Sequence, residues 1–186
     1  MPPPTPWTTL SSRYIVRDRW MTLRADCCVT AGGVIVDPYY VQEPADWVQV
    51  VAFDTEDRIL VIRQYRHGAG IVSTEIPCGG MEQGESAAQA AARELLEETG
   101  CAAESLEPLP VMYPNPARYT NRIHSFIATG TRQIQPQQLD ESEEIEFEFL
   151  SLPAVFELLD SGSFPQALQV GCLFLALRKR GLDWKR

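Results

Sequence analysis

Glutamates gather in one short stretch of the chain, between residues 79 and 101. Glu94 and Glu98 are four residues apart, so on a helix they lie one turn apart on the same face, with Glu97 beside them. Like charges at this spacing repel each other, and a bound cation would offset the repulsion. All-oxygen sites suit Mg²⁺ or Mn²⁺, which keep positions open for water and phosphate oxygens. The pattern predicts either such a metal site or, as the alternative, a solvated acidic helix face.

The helix that would carry these carboxylates is marked at both ends. Ser86 is a good N-cap, Gln89 completes a capping box, and Gly100 stands where a left-handed C-cap is expected. These signals predict a helix of about 13 residues. Its apolar stripe is expected at Ala88, Ala91, Ala92 and Leu95, with Leu96 at one edge.

The whole stretch resembles the signature of the Nudix hydrolases. Seven fixed positions and two apolar ones match, and they are Gly79, Glu85, Arg93, Glu94, Leu95, Leu96, Glu97, Glu98 and Gly100. Cys101 stands where the family usually has an aliphatic residue, and a buried cysteine behaves as a small hydrophobe. The resemblance implies the Nudix fold, which is of the α+β class: a mixed β-sheet sandwiched between α-helices. It also implies metal-assisted hydrolysis of a diphosphate linked to another moiety.

Over nearly its full length the chain looks most like the ADP-ribose pyrophosphatase branch of that family. The segment VIRQYRHG before the glutamate-rich stretch, Pro116 15 residues after Cys101, the acidic run ESEEIEFEFLSLP and the early segment DRWMTL all resemble that branch. The implied reaction is cleavage of ADP-ribose or a related nucleoside diphosphate sugar into a nucleoside monophosphate and a sugar phosphate. The implied cofactor is Mg²⁺ or Mn²⁺.

The resemblance also implies roles for individual residues around the metal. Glu94 and Glu98 are the expected ligands, with Glu97 as a third ligand or a supporting partner, and the backbone carbonyl of Cys78 is expected to join them. Arg93 is expected to orient a carboxylate through a bidentate pair. The residues expected to shape the loop and the helix end are Gly79, Glu85 and Gly100.

Catalytic and substrate-binding candidates lie outside the helix. Glu144 is our first candidate for the general base and Glu143 the second, on a loop expected to swing over the metals; a solvated acidic loop is the alternative. Arg66 is expected to bind the substrate phosphates, with Arg63 as a further candidate. The resemblance places Trp20 on the adenine across a dimer, although an aromatic at a strand end also suits core or interface packing. Pro116 belongs to the same substrate-binding set by resemblance.

Composition limits the partners of the chain. A formal charge of −9 and a pI near 4.7 argue against a nucleic-acid surface, which needs clustered Lys and Arg. Five cysteines, an odd number, indicate reduced thiols. The first residues lack the pattern of a signal peptide and no apolar run reaches membrane-spanning length, so we expect a cytoplasmic protein without membrane contact.

The order of elements predicts two parts. Residues 1–45 are expected to form an antiparallel β extension that makes a homodimer, and residues 46–186 the Nudix domain. Strands are predicted at 47–53, 58–66, 71–77, 106–113 and 122–130, followed by an alternating strand from Ile145 and two helices, the first opened by Pro153 and the second at 165–180.

Two other functions remain open from the sequence. Another nucleotide, such as GDP-mannose or ADP-glucose, would keep the chemistry and change the pocket walls. A non-catalytic ADP-ribose sensor would keep the fold without turnover. Against the sensor stands the complete set of carboxylates, which a protein that only binds has no physical need to retain.

Overall fold

A computed structural model describes residues 4–182, and these form two compact units. The first unit comprises the chain up to Ala45 together with Tyr113–Arg122. The second comprises Asp46–Met112 and the chain from Ile123 onward. The expected extension thus has a second segment, the loop at 113–122.

The first unit is an antiparallel meander, as predicted. Its strands are β1 (Thr8–Arg17), β2 (Thr22–Val29) and β3 (Ile35–Gln42), in the order β1-β2-β3. The Asp18 carboxylate accepts hydrogen bonds from the backbone N–H groups of Trp20 and Met21, which fixes the β1–β2 turn. The backbone N–H of Gln42 donates to the carbonyl of Arg118 at 2.8 Å and so ties the loop to the end of β3.

The second unit contains nine strands within its described residues. They are β4 (Trp47–Ala52), β5 (Ile59–Arg66), β6 (Ile71–Glu75), β7 (Cys78–Gly80), β8 (Cys101–Ala102), β9 (Ser105–Pro108), β10 (Ile123–Thr129), β11 (Arg132–Gln133) and β12 (Ile145–Leu150). One sheet has the order β7-β4-β10-β9, a second β12-β5-β6, and β8 pairs with β11. Strands β4 and β10 are parallel and the other pairs are antiparallel, so the sheet is mixed.

Three helices cover the two faces of this framework: α1 (Ala87–Thr99), α2 (Leu152–Asp160) and α3 (Ala167–Lys179). Strand β4 shows why both faces need a cover, because successive side chains point to opposite sides. Val48 and Val50 pack with the α1 residues in one core cluster, whereas Val51 and Phe53 pack with residues of α2 and α3 in the other. The α+β class and the sheet between helices are therefore confirmed.

Helix α1 begins and ends where its caps predicted. The Ser86 side chain and Gln89 form the capping box, and Gly100 adopts φ 68°, ψ 12°. A Cβ on Gly100 would also lie 2.0 Å from the carbonyl oxygen of Gln135, so glycine is needed there on two counts.

The predicted apolar stripe of α1 was partly wrong. Ala88 and Ala92 are exposed, and the buried face contains Ala90, Ala91, Leu95, Glu98 and Thr99. The physical reason is that the carboxylate of Glu98 is itself buried, so the face that packs on the sheet is rotated toward the glutamates. An apolar pattern alone assigns such a glutamate to solvent.

Smaller differences follow from prolines. The strand predicted at 106–113 ends at Pro108, because prolines at 108 and 110 cannot donate to a ladder. Pro153 is the second residue of α2, which begins at Leu152 after the N-cap Ser151.

All five cysteines are free. Of the helices within residues 4–182, none is both long and apolar enough to cross a bilayer.

Candidate active site

Glu98 is the most enclosed carboxylate of the glutamate-rich helix. It is 4% exposed, and it accepts a hydrogen bond of 2.9 Å from the backbone N–H of Cys78, the first residue of β7. Burial raises the pKa of Glu98 well above its usual value, and the charges of Glu94 and Glu143 raise it further. The group is thus held in place by the strand but lacks a full counter-charge.

Glu94 lies one turn before Glu98 and packs against bare backbone. A Cβ on Gly79 would lie 2.1 Å from the carboxyl carbon of Glu94, so any side chain at position 79 would displace this carboxylate. Burial raises the pKa of Glu94, the ion pair with Arg93 opposes the rise, and the charges of Glu97 and Glu143 add to it.

Arg93 connects the helix to the loop before it. Its guanidinium donates to both carboxylate oxygens of Glu85, at 2.9 and 3.0 Å, and to the carbonyl of Gly80 at 2.9 Å. The Nη1 atom donates to Glu94 and to Glu97, each at 2.9 Å. Glu85 in turn accepts from the backbone N–H of Glu82. One side chain thereby fixes three carboxylates and the loop.

The donors at this site fit a hard divalent cation. Within residues 4–182, no three His, Cys, Asp or Glu side chains are already gathered as a metal cage, because Arg93 holds Glu94 and Glu97 while a backbone N–H holds Glu98. The charges of Glu94, which is partly buried, and Glu98, which is buried, nevertheless repel each other, and desolvation raises the pKa values of both. A cation beside them would relieve both effects, and oxygen donors select Mg²⁺ or Mn²⁺ over softer ions.

The acidic loop, residues 138–144, lies beside the carboxylates of Glu94 and Glu98. The charge of Glu143 contributes to the raised pKa of both Glu94 and Glu98. Glu144 instead lines a surface groove with Arg63, Tyr65 and other residues of β5, β6 and β12. Glu143 therefore acts electrostatically on both carboxylates, whereas Glu144, our first candidate, lines the groove.

The side-chain amide of Gln137 makes two hydrogen bonds that hold the acidic loop. The side-chain nitrogen of Gln137 donates to the carbonyl of Glu98 and to the carbonyl of Ile145, where β12 begins. The backbone N–H of Gln138 donates to the carbonyl of Glu97 at 2.9 Å. The loop is thus attached to the last turn of α1 at one end and to the sheet at the other.

Arg66 and Arg63 point to opposite faces of β5, because they are three residues apart on a strand. Arg66 makes a bidentate pair with the buried Glu75, at 2.8 and 2.7 Å, and its charge also acts on Glu98. Arg63 lies 3.6 Å from the exposed Glu146. Of the two arginines, only Arg66 stands near the carboxylates.

Sequence reasoning missed the residues that hold Arg66. Glu75 on β6 and Gln169 on α3 are each 1% exposed and hydrogen-bonded to each other at 3.1 Å. The Gln64 amide nitrogen, on the same strand as Arg66, is buried and has no hydrogen-bond partner among the described residues. The sequence signal for Glu75 is its charged side chain two residues before Pro77. No local signal in the sequence links Gln169 to Glu75.

Trp20 and Pro116 both belong to the first unit. Trp20 lies in the β1–β2 turn and is 79% exposed, with the Arg19 guanidinium 4.2 Å from its ring centroid. This exposure excludes core packing within the unit. Pro116 lies in the exposed loop at 113–122, where the backbone N–H groups of Arg118 and Tyr119 donate to the carbonyl of Asn115.

Comparison with known families decides the classification. The model of the NUDIX domain matches residues 44–167, which is more than half of the chain. The chain belongs to the Nudix hydrolase family. The model of the nucleoside diphosphate sugar hydrolase N-terminal domain matches residues 7–42, which contain the three-stranded meander.

Individual relatives support this assignment. The ADP-ribose pyrophosphatase of Bacillus subtilis is 32% identical over 61% of this chain, and the aligned part spans 62% of that protein. The methanol dehydrogenase activator of Bacillus methanolicus is 30% identical over 81% of this chain and 82% of its own. A crystal structure of an ADP compounds hydrolase matches this Nudix chain with a TM-score of 0.84 at 26% identity, covering 97% of this chain and 99% of the other.

Proposed function

We propose that this chain hydrolyses the diphosphate bond of ADP-ribose or a related nucleoside diphosphate sugar, giving a nucleoside monophosphate and a sugar phosphate. The observation that carries the proposal is the convergence of the buried Glu98 and the partly buried Glu94, with the charge of Glu143 acting on both, in a Nudix fold. The N-terminal domain match and the names of the relatives support the class of substrate.

The chain's own residues supply binding and proton transfer in this proposal. Glu94 and Glu98 would hold a divalent ion, Mg²⁺ or Mn²⁺, with Glu97 and the backbone carbonyl of Cys78 as further oxygen donors. The ion, when bound, neutralises diphosphate charge and polarises the attacking water. Arg93 keeps the carboxylates in position through its hydrogen bonds to Glu94 and Glu97. Arg66 is the proposed contact for the substrate phosphates.

A panel assay tests the function. Phosphate released by a coupled phosphatase is measured with ADP-ribose, ADP-glucose, GDP-mannose, a dinucleotide cofactor and a nucleoside triphosphate, with Mg²⁺, with Mn²⁺ and with chelator. We expect turnover that needs the metal, with ADP-ribose cleaved fastest. If another nucleotide of the panel is cleaved fastest, the proposed substrate changes and the proposed reaction stays the same. Tight binding of ADP-ribose without any turnover would contradict the proposed hydrolase activity and support a non-catalytic ADP-ribose sensor.

The position of Glu143 makes it the general base that we propose. Replacing it by Gln removes the proton acceptor beside Glu94 and Glu98 and should lower kcat by about 100-fold, a typical contribution of a general base. Steady-state kinetics with ADP-ribose at saturating metal provides the measurement.

Glu144→Gln is the matched control, since it changes the neighbouring residue of the same loop. We expect its kcat to stay within about threefold of the unchanged enzyme, because its side chain faces the groove. A large loss in Glu144→Gln with little loss in Glu143→Gln would return the role to Glu144.

We further propose a cytoplasmic homodimer in which the first unit faces its partner. Its strands and turns expose large apolar side chains that a soluble monomer seldom leaves uncovered: Trp7, Leu10, Tyr14, Ile15, Trp20, Met21, Val34, Ile35 and Tyr40. In such a dimer Trp20 would be available to stack on the substrate base, and Pro116 to line its site. Light scattering that gives the mass of a single 20.8 kDa chain would contradict the dimer.

A further inference from the structure

We propose that Gln169, on helix α3, is a positioning residue for the substrate diphosphate and acts through Glu75 and Arg66. This inference rests on the proposed role of Arg66 in binding phosphate. It concerns a residue that lies 94 positions from Glu75 in the sequence and outside the glutamate-rich stretch.

Gln169 uses both ends of its amide inside the protein. Its Oε1 accepts a hydrogen bond of 2.8 Å from the backbone N–H of Ile76, just before the chain turns at Pro77. Its Nε2 donates to Glu75 at 3.1 Å and to the sulfur of Cys78 at 3.2 Å. With 1% exposure, the side chain has no water to replace these partners.

Glu75 transmits this constraint to Arg66. The Oε2 atom that accepts from Gln169 also accepts from Nη2 of Arg66 at 2.7 Å, while Oε1 accepts from Nε at 2.8 Å. Both oxygens are therefore engaged, so the carboxylate plane is fixed and the guanidinium plane with it. The Arg66 side chain remains 38% exposed, so the edge of its guanidinium group that faces away from Glu75 can contact a ligand.

The arrangement has a direct chemical use. A free arginine side chain has many rotamers, and fixing them before binding lowers the entropic cost of contacting a phosphate. Loss of the Gln169 amide would remove one of the hydrogen bonds that orient the Glu75 carboxylate, and through it the Arg66 guanidinium. The effect should appear in substrate binding and KM more than in kcat, because the side chain of Gln169 bonds directly to Glu75 but to neither Glu94 nor Glu98.

A double-mutant cycle tests the path. The Kd of ADP-ribose is measured by calorimetry in chelator for the unchanged protein, Gln169→Leu, Arg66→Ala and the double variant. We expect Gln169→Leu to raise the Kd about tenfold, the size typical of supporting residues, and to add less than about twofold once Arg66 is gone. Equal effects in both backgrounds, or no effect of Gln169→Leu, would overturn the proposal.

Two further variants separate positioning from folding. Gln169→Met keeps the length of the unbranched side chain but loses the amide donor to Glu75, so it should reproduce the weakened binding even if Gln169→Leu does not fold. Gln49→Leu is the matched control, because this buried glutamine bonds to Ser125 and to the carbonyl of Leu168 on α3 but not to Glu75. Its effect should be equal with and without Arg66.

A spectroscopic arm is independent of the proposed function. The Nε–H of Arg66 is bonded to Glu75, so its NMR signal should exchange slowly with water and should exchange at least about tenfold faster in Gln169→Met. If the unchanged protein bound none of the nucleotide sugars, the proposed function would fail, and this signal would still decide whether Gln169 holds Arg66. An unchanged exchange rate would reject the positioning role.

Discussion

Glu98→Gln should lower kcat by about 1,000-fold, equivalent to about 4 kcal/mol of transition-state stabilisation, which is the scale expected when a metal ligand is lost. Glu98 is the most buried carboxylate of helix α1, and its amide replacement has the same shape. An amide still accepts from the N–H of Cys78 but brings no negative charge to the metal. The measurement is kcat with ADP-ribose over a titration of Mg²⁺.

The same variant should be as stable as the unchanged protein or more so in the absence of metal. Burial raises the pKa of Glu98, which means that its ionised form is disfavoured in the fold, and the amide removes that cost. Melting temperatures in chelator check this. Glu157→Gln, an exposed change on α2, serves as control and should leave both quantities unaltered. Wild-type turnover by Glu98→Gln would show that the metal lies elsewhere.

Arg93→Met should reduce both stability and activity. The guanidinium donates to Glu85, Glu94, Glu97 and the carbonyl of Gly80, and a thioether replaces none of these bonds. Since the side chain is 24% exposed, we expect a loss of about 2–3 kcal/mol in the free energy of unfolding, below the value for a fully buried pair. Displaced carboxylates should also lower kcat/KM by at least about 100-fold.

Arg93→Lys separates charge from geometry. Lysine keeps the positive charge but cannot bond Glu85 with a planar fork while also reaching Glu94 and Glu97. We expect partial recovery of stability, measured by urea unfolding, with activity still impaired and a higher Mg²⁺ requirement. If Arg93→Met unfolded at the same urea concentration as the unchanged protein, the loop would not depend on this residue.

Local chemistry explains what the sequence revealed. Caps, turns and a fixed spacing of glutamates act over a few residues, so Ser86, Gly100 and the helix between them were predicted with the right bounds. The meander of β1–β3 followed from its turn residues in the same way.

Contacts between distant segments explain what the sequence did not reveal. The parallel pairing of β4 with β10 joins residues about 76 positions apart, and the bonds from Gln169 to Glu75 and Ile76 cross a still longer distance. Which of Glu143 and Glu144 is the base stays a prediction, because the pattern of acids does not encode how the loop is anchored. Exposure of Ala88 and Ala92 was missed because a buried carboxylate turned the helix.

The two hydrogen bonds from the Gln137 amide make the acidic loop a tether of nearly fixed length. Residues 138–144 can change their path only between two anchors, so an acid on this tether keeps a high effective concentration beside Glu94 and Glu98 even before substrate arrives. Substitutions could therefore place an acid one position earlier or later within residues 138–144. Such a shift would suit a differently shaped diphosphate without any change to the sheet or to the metal-binding helix.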